Sequence, residues 1–356
     1  PGVLCTWAGT GESGFNGDGQ PLLKSQLARP MDVAFDRGNT PFIVDFGNHR
    51  IRKVTTDGNL ETLVGTDAAG DGDAEARERT AGGAWGNQVS LTHPTDVHIT
   101  DKGMLVVTAW DNHKVRTLDL ASGVLKVTAG STMGFAGDGG KALDAKLNRP
   151  SKAVVNAKGE LFILDTRNQR VRRVTAEAPF NITSPIGSGT RGITQEGKPP
   201  PEARFSFDVS DEATPNGGMA LDQTGNMYIA DTGAHRVYKI DFGKNTVTTF
   251  AGDGAAGYGG DGGPGTAAQL NGPRDLAIAN STLFIADTEN HVVRAVDLGT
   301  GAIRTVIGNG SAGFSGDGGQ ATAAQLNRPH GVAIDTKGVL YVSDTFNNRI
   351  RRVKLQ

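Results

Sequence analysis

The sequence has little of several things that would point to a particular class of protein. Its single cysteine, Cys5, excludes an internal disulfide and a cysteine-based zinc cage. The formal net charge is -2, from 36 basic and 38 acidic residues, and aromatic residues make up 6% of the chain. A nucleic-acid-binding domain needs a basic face that carries aromatic side chains, so no nucleic-acid partner is expected.

Long apolar segments and familiar catalytic motifs are also missing. No apolar run approaches the roughly 18 residues of a membrane-spanning helix, so no membrane span is expected. The stretch Pro1–Cys5 has no charged region of the kind that begins a signal peptide. The chain contains no Gly-x-Ser-x-Gly, no Cys/His pair and no phosphate-binding loop at the start of a helix. These absences favour a binding role over catalysis.

Glycine, in contrast, is abundant. The chain has 51 glycines among 356 residues, which is about twice the ordinary share, and they follow no collagen period. Glycines in that number mark many tight turns, because glycine adopts the backbone conformations that turns require. Many turns in one chain imply many short strands.

One glycine-rich loop occurs four times. It reads GFSGDGG at residues 313–319, and the copies GFNGDGQ, GFAGDGG and GYGGDGG lie earlier in the chain. A loop that is used four times points to architecture more than to an active site. Its acids could in principle form a ring of calcium ligands, but acids on separate repeats lie too far apart for one ion, so we interpret the loops as turns. The four acids are Asp18, Asp138, Asp261 and Asp317.

The chain is built from six copies of one unit. The last copy, Leu326–Val353, reads LNRPHGVAIDTKGVLYVSDTFNNRIRRV. Each unit has three short β-branched runs separated by turn residues, followed by a fourth run, and the period is about 56 residues. Four strands per repeat is typical of a propeller blade. We predict an all-β, six-bladed β-propeller of four antiparallel strands per blade, a single domain over 1–356 with insertions at about 66–88 and 178–216.

The ends of the chain complement each other. The last unit stops without its fourth strand, whereas residues 2–8 and the glycine-rich loop after them match residues 301–307 and their loop. The N-terminal strand is therefore predicted to complete the sixth blade and to close the ring, which leaves no large sheet edge exposed.

Two sequence elements carry a family resemblance. The repeated D-T-x-N-H-R-[VI]-R and P-x-G-V-A-x-D elements resemble those of the NHL-repeat family of six-bladed β-propellers, and the resemblance covers essentially the whole chain. That family includes binding modules and enzymes, so the resemblance implies the fold and leaves the function open.

The resemblance extends to two groups of propeller enzymes. Peptidyl amidating lyases hold zinc with three histidines near the axis, and His330 matches one such position in kind. The corresponding residues of other copies, Met31, Thr95, Ser151 and Arg274, offer no imidazole. Propeller lactonases need an axial Glu beside Asn and Asp around a divalent ion, and no Glu is available in the predicted inner strands. The resemblance therefore assigns no catalytic residue and no metal ligand here.

Some repeated residues are interpreted as structural. The repeated acid, such as Asp344, is predicted to accept turn N-H groups and to pair with the arginine five residues on, such as Arg349. One further position is filled by His, Gln or Asn, which indicates a hydrogen bond and not a metal. Its occupants are His49, His113, Gln169, His235, His291 and Asn348.

Function is expected where the copies differ and where the ring axis lets them converge. Arginine and histidine flank the proline that opens the inner strand in several units, and guanidinium groups favour carboxylate or phosphate. The second unit is the most divergent, since Ala109 replaces the repeated acid. We predict an anion-binding pocket at the axial mouth of the loop-rich face. Its predicted residues are Arg29, Arg274, Arg328, His330, His98 and Trp110.

The predicted function is a ligand- or protein-binding scaffold with no cofactor. The expected partner is a protein or a small anionic ligand, the expected state is a monomer, and the expected location is extracytoplasmic or secreted. The alternative is a propeller enzyme, lyase or lactonase/hydrolase-like, with a Ca²⁺ or Zn²⁺ ion at the axis.

Overall fold

The protein is a closed ring of six antiparallel sheets, as predicted. The structure, a computed structural model, describes residues 2–207 and 214–355. The first strand of each sheet lies against the first strands of both neighbouring sheets, so six inner strands surround one axis. No helix in the described ranges is long and apolar enough to cross a membrane.

The strands follow one order in every blade, from the axis outward. Blade 1 consists of β3 (Pro30–Phe35), β4 (Pro41–Asp45), β5 (Arg50–Val54) and β6 (Asn59–Val64), with β2 (Gln20–Pro21) at its edge. Blade 2 consists of β8 (Pro94–Ile99), β9 (Met104–Ala109), β10 (Lys114–Asp119) and β11 (Val124–Ala129), with β7 (Ala84–Trp85) at its edge. Blade 3 consists of β12 (Pro150–Val155), β13 (Leu161–Asp165), β14 (Arg170–Val174) and β15 (Ile182–Ile186).

The other three blades repeat the pattern. Blade 4 consists of β16 (Gly218–Leu221), β17 (Met227–Asp231), β18 (Arg236–Asp241) and β19 (Thr246–Ala251). Blade 5 consists of β20 (Pro273–Ala279), β21 (Thr282–Asp287), β22 (Val292–Asp297) and β23 (Ile303–Ile307). Blade 6 consists of β24 (Gly331–Ile334), β25 (Val339–Asp344), β26 (Arg349–Lys354) and β1 (Leu4–Ala8).

Short 3-10 helices form tight turns in the connections. They span Leu22–Lys24, Phe46–Asn48, Arg77–Arg79, Gly86–Gln88, Ala142–Asp144, Thr166–Asn168, Pro200–Glu202, Thr232–Ala234, Gly265–Ala267, Thr288–Asn290, Ala321–Ala323 and Thr345–Asn347.

The N-terminal strand closes the ring. Strand β1 pairs antiparallel with β26, with Leu4 opposite Val353 and Ala8 opposite Ile350. Leu4 and Ala8 are fully buried. The predicted closure is confirmed, and it joins the two ends of the chain in one sheet.

The segments that connect blades also cover the outer edges. Each connection leaves one blade and pairs with the outermost strand of the next before it turns in towards the axis. The pairings are β2 with β6, β7 with β11, Lys141 with Asn181, Lys198 with Val247, Pro264 with Ala302, and Gln320 with Val3. An edge that is covered in this way is shielded from pairing with another chain.

The acids of the glycine-rich loops pair with buried arginines. Asp317 lies 2.7 Å from Nη2 of Arg351, and the repeated acid Asp344 lies 3.3 Å from Nη1 of the same side chain. A fully buried guanidinium is thus held between two carboxylates. The prediction that Asp344 pairs with Arg349 is wrong, because Arg349 donates to the carbonyl oxygen of Thr10. Equivalent pairs join Asp18 to Arg52, Asp138 to Arg172 and Asp261 to Arg294.

Blade 2 keeps the buried arginine although it lacks the repeated acid. Nη2 of Arg116 lies 2.9 Å from Asp71, and its Nη1 donates to Asn112 at 3.2 Å. Asp71 lies in the Gly70–Ala74 stretch, so this stretch supplies the carboxylate that the glycine-rich loop supplies in other blades. The insertion at 66–88 therefore carries the same contact in a longer connection.

The second insertion is built into the ring. Within 178–216, strand β15 forms the outer edge of blade 3, and Phe205 and Phe207 are fully buried. These parts of the insertion are not a surface loop, because their apolar side chains fill the space between blades 3 and 4. Residues 208–213 of the insertion lie outside the described ranges.

The position shared by His, Gln and Asn ties neighbouring blades together. Nδ1 of His291 accepts the backbone N-H of Arg328 in the next blade at 3.1 Å. The predicted hydrogen bond is confirmed at all six copies. The others join His49 to His93, His113 to Arg149, Gln169 to Phe207, His235 to Gly272, and Asn348 to Arg29.

Candidate functional site: the axial mouth

The inner strands bring three layers of residues to the axis, where each blade contributes one residue per layer. The mouth layer, which directly precedes the opening proline in five blades and Asn216 in blade 4, comprises Arg29, His93, Arg149, Pro215, Gly272 and Arg328. The middle layer comprises Met31, Thr95, Ser151, Gly217, Arg274 and His330. The lower layer comprises Asp32, Asp96, Lys152, Gly218, Asp275 and Gly331. The middle and lower layers enclose a cavity of about 30 Å³.

His330 is the most unusual residue of the middle layer. It is 4% exposed, and neither ring nitrogen makes a hydrogen bond of good geometry to a described residue, although the backbone of Arg328 lies close enough to raise the pKa of the ring. Its ring stacks on Phe346 with 5.9 Å between centroids. Burial, followed by the charges of Arg274 and Arg328, holds the pKa of His330 well below its usual value. The imidazole is therefore neutral at pH 7 and presents one donor and one acceptor.

Three predicted arginines surround this histidine. Oε1 of Glu289 lies 2.7 Å from Nη2 of Arg328 and 3.1 Å from Nη2 of Arg274. Arg274 also donates to the carbonyl oxygen of Pro215 at 2.7 Å. Arg29 is exposed, and its guanidinium lies 5.3 Å from the ring centre of Phe346. The arginines converge as predicted, but Glu289 is a carboxylate partner that the sequence did not suggest.

A second pair of basic side chains, His93 and Arg149, lies across the mouth. Asp111 accepts from Nδ1 of His93 at 2.7 Å and lies 3.0 Å from Nε of Arg149. The Arg149 guanidinium stacks 4.4 Å from the ring centre of Trp110, which is only 2% exposed. Trp110 therefore supports Arg149 from below, and it does not form an open wall of the cavity.

The structure does not bring His98 to the mouth. His98 lies four residues along β8 from Pro94, which is about 13 Å at the usual rise per residue. It lines a different cavity, between blades 2 and 3. The predicted site is thus split between two places.

The lower layer is an ionic cluster that closes the axis. Nζ of Lys152 lies 2.8 Å from Asp96 and from Asp275, and 3.6 Å from Asp32. Burial raises the pKa of Asp32 well above its usual value, and the neighbouring carboxylates add to this effect. A single ammonium group therefore stands among three carboxyl groups, and the raised pKa of Asp32 favours its protonated form. Asp275 also accepts the backbone N-H of Val332 in the next blade at 3.0 Å.

The two glycines of the lower layer allow the backbones to meet. A Cβ atom on Gly331 would lie 2.0 Å from the carbonyl oxygen of Met31, and one on Gly218 would lie 2.5 Å from that of Arg274. Any side chain at these places would push the inner strands apart. The sequence did signal this layer, since the second residue after the proline is acidic in three copies, but the role of Lys152 was missed.

The residues at the axis do not fit the zinc site of the lyases. His330 faces no second imidazole across the middle layer, and the Lys152 ammonium lies among the three axial acids. In residues 2–207 and 214–355, no group of three or more His, Cys, Asp or Glu side chains is arranged to hold a metal ion.

Comparison with known proteins agrees with the architecture. A family model described as "NHL repeat" matches residues 326–352. NHL repeat-containing protein 2 of Gallus gallus is 25% identical over 284 residues, which cover 74% of this chain and 38% of that protein. Protein SUPPRESSOR OF QUENCHING 1, chloroplastic, of Arabidopsis thaliana is 26% identical over 303 residues, which cover 82% and 27%. The chain thus spans less than two fifths of the length of these relatives.

Solved structures with the same fold belong to proteins whose described functions differ. A protein of unknown function from Bacteroides thetaiotaomicron has a TM-score of 0.73 at 16% identity, covering 100% of this chain and 76% of its own. An auxiliary nutrient binding protein from the same organism has a TM-score of 0.68 at 17% identity, covering 99% and 76%. A gluconolactonase from Xanthomonas campestris has a TM-score of 0.56 at 12% identity, covering 93% and 87%. These likenesses show the fold alone.

The six-sheet ring and these matches define the class, a six-bladed β-propeller. The chain resembles NHL-repeat propellers, and the resemblance read from its repeats is confirmed by the family-model match at residues 326–352 and by the six-sheet ring.

Proposed function

We propose that the chain is a non-catalytic binding module whose axial mouth receives a carboxylate, from a small acid or from an acidic protein partner. The observation that carries the proposal is His330, a buried imidazole whose nitrogens make no hydrogen bond of good geometry to a described residue and whose nearest charges are Arg274 and Arg328. Buried polar groups almost always have a hydrogen-bond partner, so His330 is expected to bind one from a ligand or from water. The surrounding cations favour an anionic group over a cationic one.

The size of the cavity limits what enters it. A volume of about 30 Å³ is only about two to three times the roughly 10 to 15 Å³ that one water molecule needs. Only an end group can therefore reach His330, and the rest of the ligand must lie above the mouth layer. A carboxylate fits this geometry because one oxygen can accept from the imidazole while the other faces the arginines.

Titration calorimetry with succinate and with a short acidic peptide tests the proposal and separates the two sources of the carboxylate. The His330→Phe variant fills the cavity, and Arg328→Gln removes one charge without shortening the side chain. Each is expected to weaken binding by about 1.5 to 3 kcal/mol, the contribution of a hydrogen bond to a charged group. Arg37→Gln is the matched control, because Arg37 is an exposed arginine outside the mouth.

If both variants bind the ligands as the parent does and keep its melting temperature, the axial mouth is not the binding site. Turnover of a lactone, or a melting-temperature shift on adding Ca²⁺ or Zn²⁺ that is lost in His330→Phe, would replace the binding role with the enzymatic alternative.

A further inference from the structure

A large cleft opens between blades 2 and 3. Its volume is about 1280 Å³. It reaches the turns Thr100–Gly103 and Asn156–Gly159, which join the first two strands of blades 2 and 3 at the end opposite the axial mouth. We call it the 2/3 cleft. It is separate from the axial mouth in position and in the residues that line it.

One substitution in the repeat widens the cleft between the blades. The second strand of each blade carries a buried residue that packs against the next blade, and in five blades this residue is aromatic. Those five are Phe42, Phe162, Tyr228, Phe284 and Tyr341. Blade 2 has Val106 at this position. Replacing a ring by valine removes several heavy atoms from the interface between blades 2 and 3, and the loss leaves space there.

The residue paired with Val106 has changed as well. His98 lies directly opposite Val106 on the inner strand, and adjacent cross-strand side chains share one face of the sheet. The other blades have a small residue there, namely Ala34, Val154, Ala220, Ala277 and Ala333. No described residue hydrogen-bonds to the His98 ring, and burial lowers the pKa of His98. A neutral imidazole therefore faces the cleft with free donor and acceptor capacity.

The cleft has an apolar interior and a basic rim. Apolar walls come from both blades and include Val124, Leu143, Val155, Leu161 and Phe180. The rim carries four lysines, Lys102, Lys126, Lys141 and Lys158.

Acids at the rim offset this charge only in part. Asp101 lies 3.0 Å from Arg37, outside the cleft. Glu78 is buried and accepts the backbone N-H of Asp73 at 3.2 Å. Asp119 is the third acid of the lining, and within the described ranges no lysine of the rim lies within ion-pair distance of a carboxylate. The lining therefore carries an excess of positive charge around an apolar space.

We propose that the 2/3 cleft binds an amphipathic organic anion, with an apolar body between the blades and an anionic head among the rim lysines. The volume exceeds the roughly 300 to 1,000 Å³ of ordinary small-molecule pockets, so the cleft accommodates a ligand of several rings or a long alkyl chain. His98 supplies the hydrogen bond inside the apolar part. This site does not depend on the axial mouth, so either proposal can fail without the other.

Two fluorescent probes test the proposal on the intact chain. 1-Anilinonaphthalene-8-sulfonate has an apolar body with an anionic head, and N-phenyl-1-naphthylamine is a similar body without charge. Both are expected to bind the parent saturably. The double variant His98→Ala/Val106→Phe restores the Ala-Phe pair of blade 1, so it removes the imidazole hydrogen bond and places a ring where the probe's apolar body would contact Val106. It is expected to weaken both probes by about tenfold or more, with an unchanged or raised melting temperature. Saturable binding that persists in this folded variant overturns the site.

The rim is tested separately. Lys102→Glu/Lys158→Glu reverses two charges and is expected to weaken the sulfonate probe about fivefold or more, while the neutral probe binds as before. Lys337→Glu is the control, because Lys337 occupies the same turn in blade 6, away from the cleft. Equal effects on both probes, or an equal effect of the control, would overturn the assignment of an anionic head.

Discussion

Asp231 occupies in blade 4 the position that Asp344 occupies in blade 6, but its surroundings differ. Tyr238 stands in blade 4 where blade 6 has the buried Arg351. Burial raises the pKa of Asp231 to about 8, although it accepts the Ser206 N-H at 2.8 Å. Burial raises the pKa of Asp344 only to about 6, because Arg351 and other donors offset it. Asp231, which has no buried arginine beside it, therefore keeps its proton at neutral pH.

This difference predicts a pH dependence of stability. Asp231 has a higher pKa in the folded than in the unfolded chain, so its contribution to the free energy of unfolding falls as pH rises from about 4 to about 8, then levels off. Asp231→Asn mimics the protonated acid and should flatten the decline of the melting temperature between pH 6 and 9. Asp57→Asn, at an exposed position, should leave the decline unchanged. A parent melting temperature that rises over this range while Asp231→Asn stays flat would contradict the assignment.

Single residues also show where the sequence is informative and where it is not. The tie at His291 was predictable, because a position that accepts His, Gln or Asn requires only a hydrogen-bond acceptor. The partner of Asp344 was not predictable from spacing, because residues 349 and 351 point to the same face of one strand. The axial pairing of Lys152 was also hidden, since its partners Asp96 and Asp275 come from two other blades.

Blades are joined to one another by backbone contacts as well as by side-chain packing. Arg328 has a left-handed backbone with φ of 46°, and its N-H points back to His291 of the preceding blade. A non-glycine residue in this region carries strain that surrounding contacts must offset. The tie therefore fixes the direction in which the chain enters the mouth.

Substitution at this tie has an expected cost. His291→Ala leaves the Arg328 N-H without its acceptor and should lower the free energy of unfolding by about 1 kcal/mol. His291→Gln should cost little, because Gln169 makes the same bond in blade 3. Chemical denaturation of both variants measures the difference. Equal destabilisation by alanine and glutamine would mean that ring packing, and not the hydrogen bond, holds the blades at this point.

Element boundaries were predictable in the regular blades and less so in blades 2 and 3. The 2/3 cleft contains Val106 at the position where the other five blades have an aromatic residue. A valine in a strand pattern looks ordinary until the five aromatic residues are aligned by register. The outer strand of blade 3 was also missed, because the Ile182–Ile186 segment contains a proline and reads as a loop.

The whole ring depends on the strand that its first residues supply. Deleting residues 1–9 should expose the edge of β26 and remove the contacts that Leu4 makes in the core. The free energy of unfolding should therefore fall by several kcal/mol. A synthetic peptide of residues 1–9 should restore part of the loss by adding a strand to that edge. A deletion variant with the parent's melting temperature, indifferent to the peptide, would show that β1 is dispensable.

Closure by β1 has a consequence for how such a ring can be encoded. The two ends of the chain lie side by side in blade 6, so a short linker could join them. The turn between β22 and β23 occupies in blade 5 the place where the chain breaks in blade 6. A circular permutant opened at that turn would contain the same sheets, ties and rings in a different order along the gene. The sixfold contact pattern, and not the order of the strands along the chain, is therefore what the fold requires.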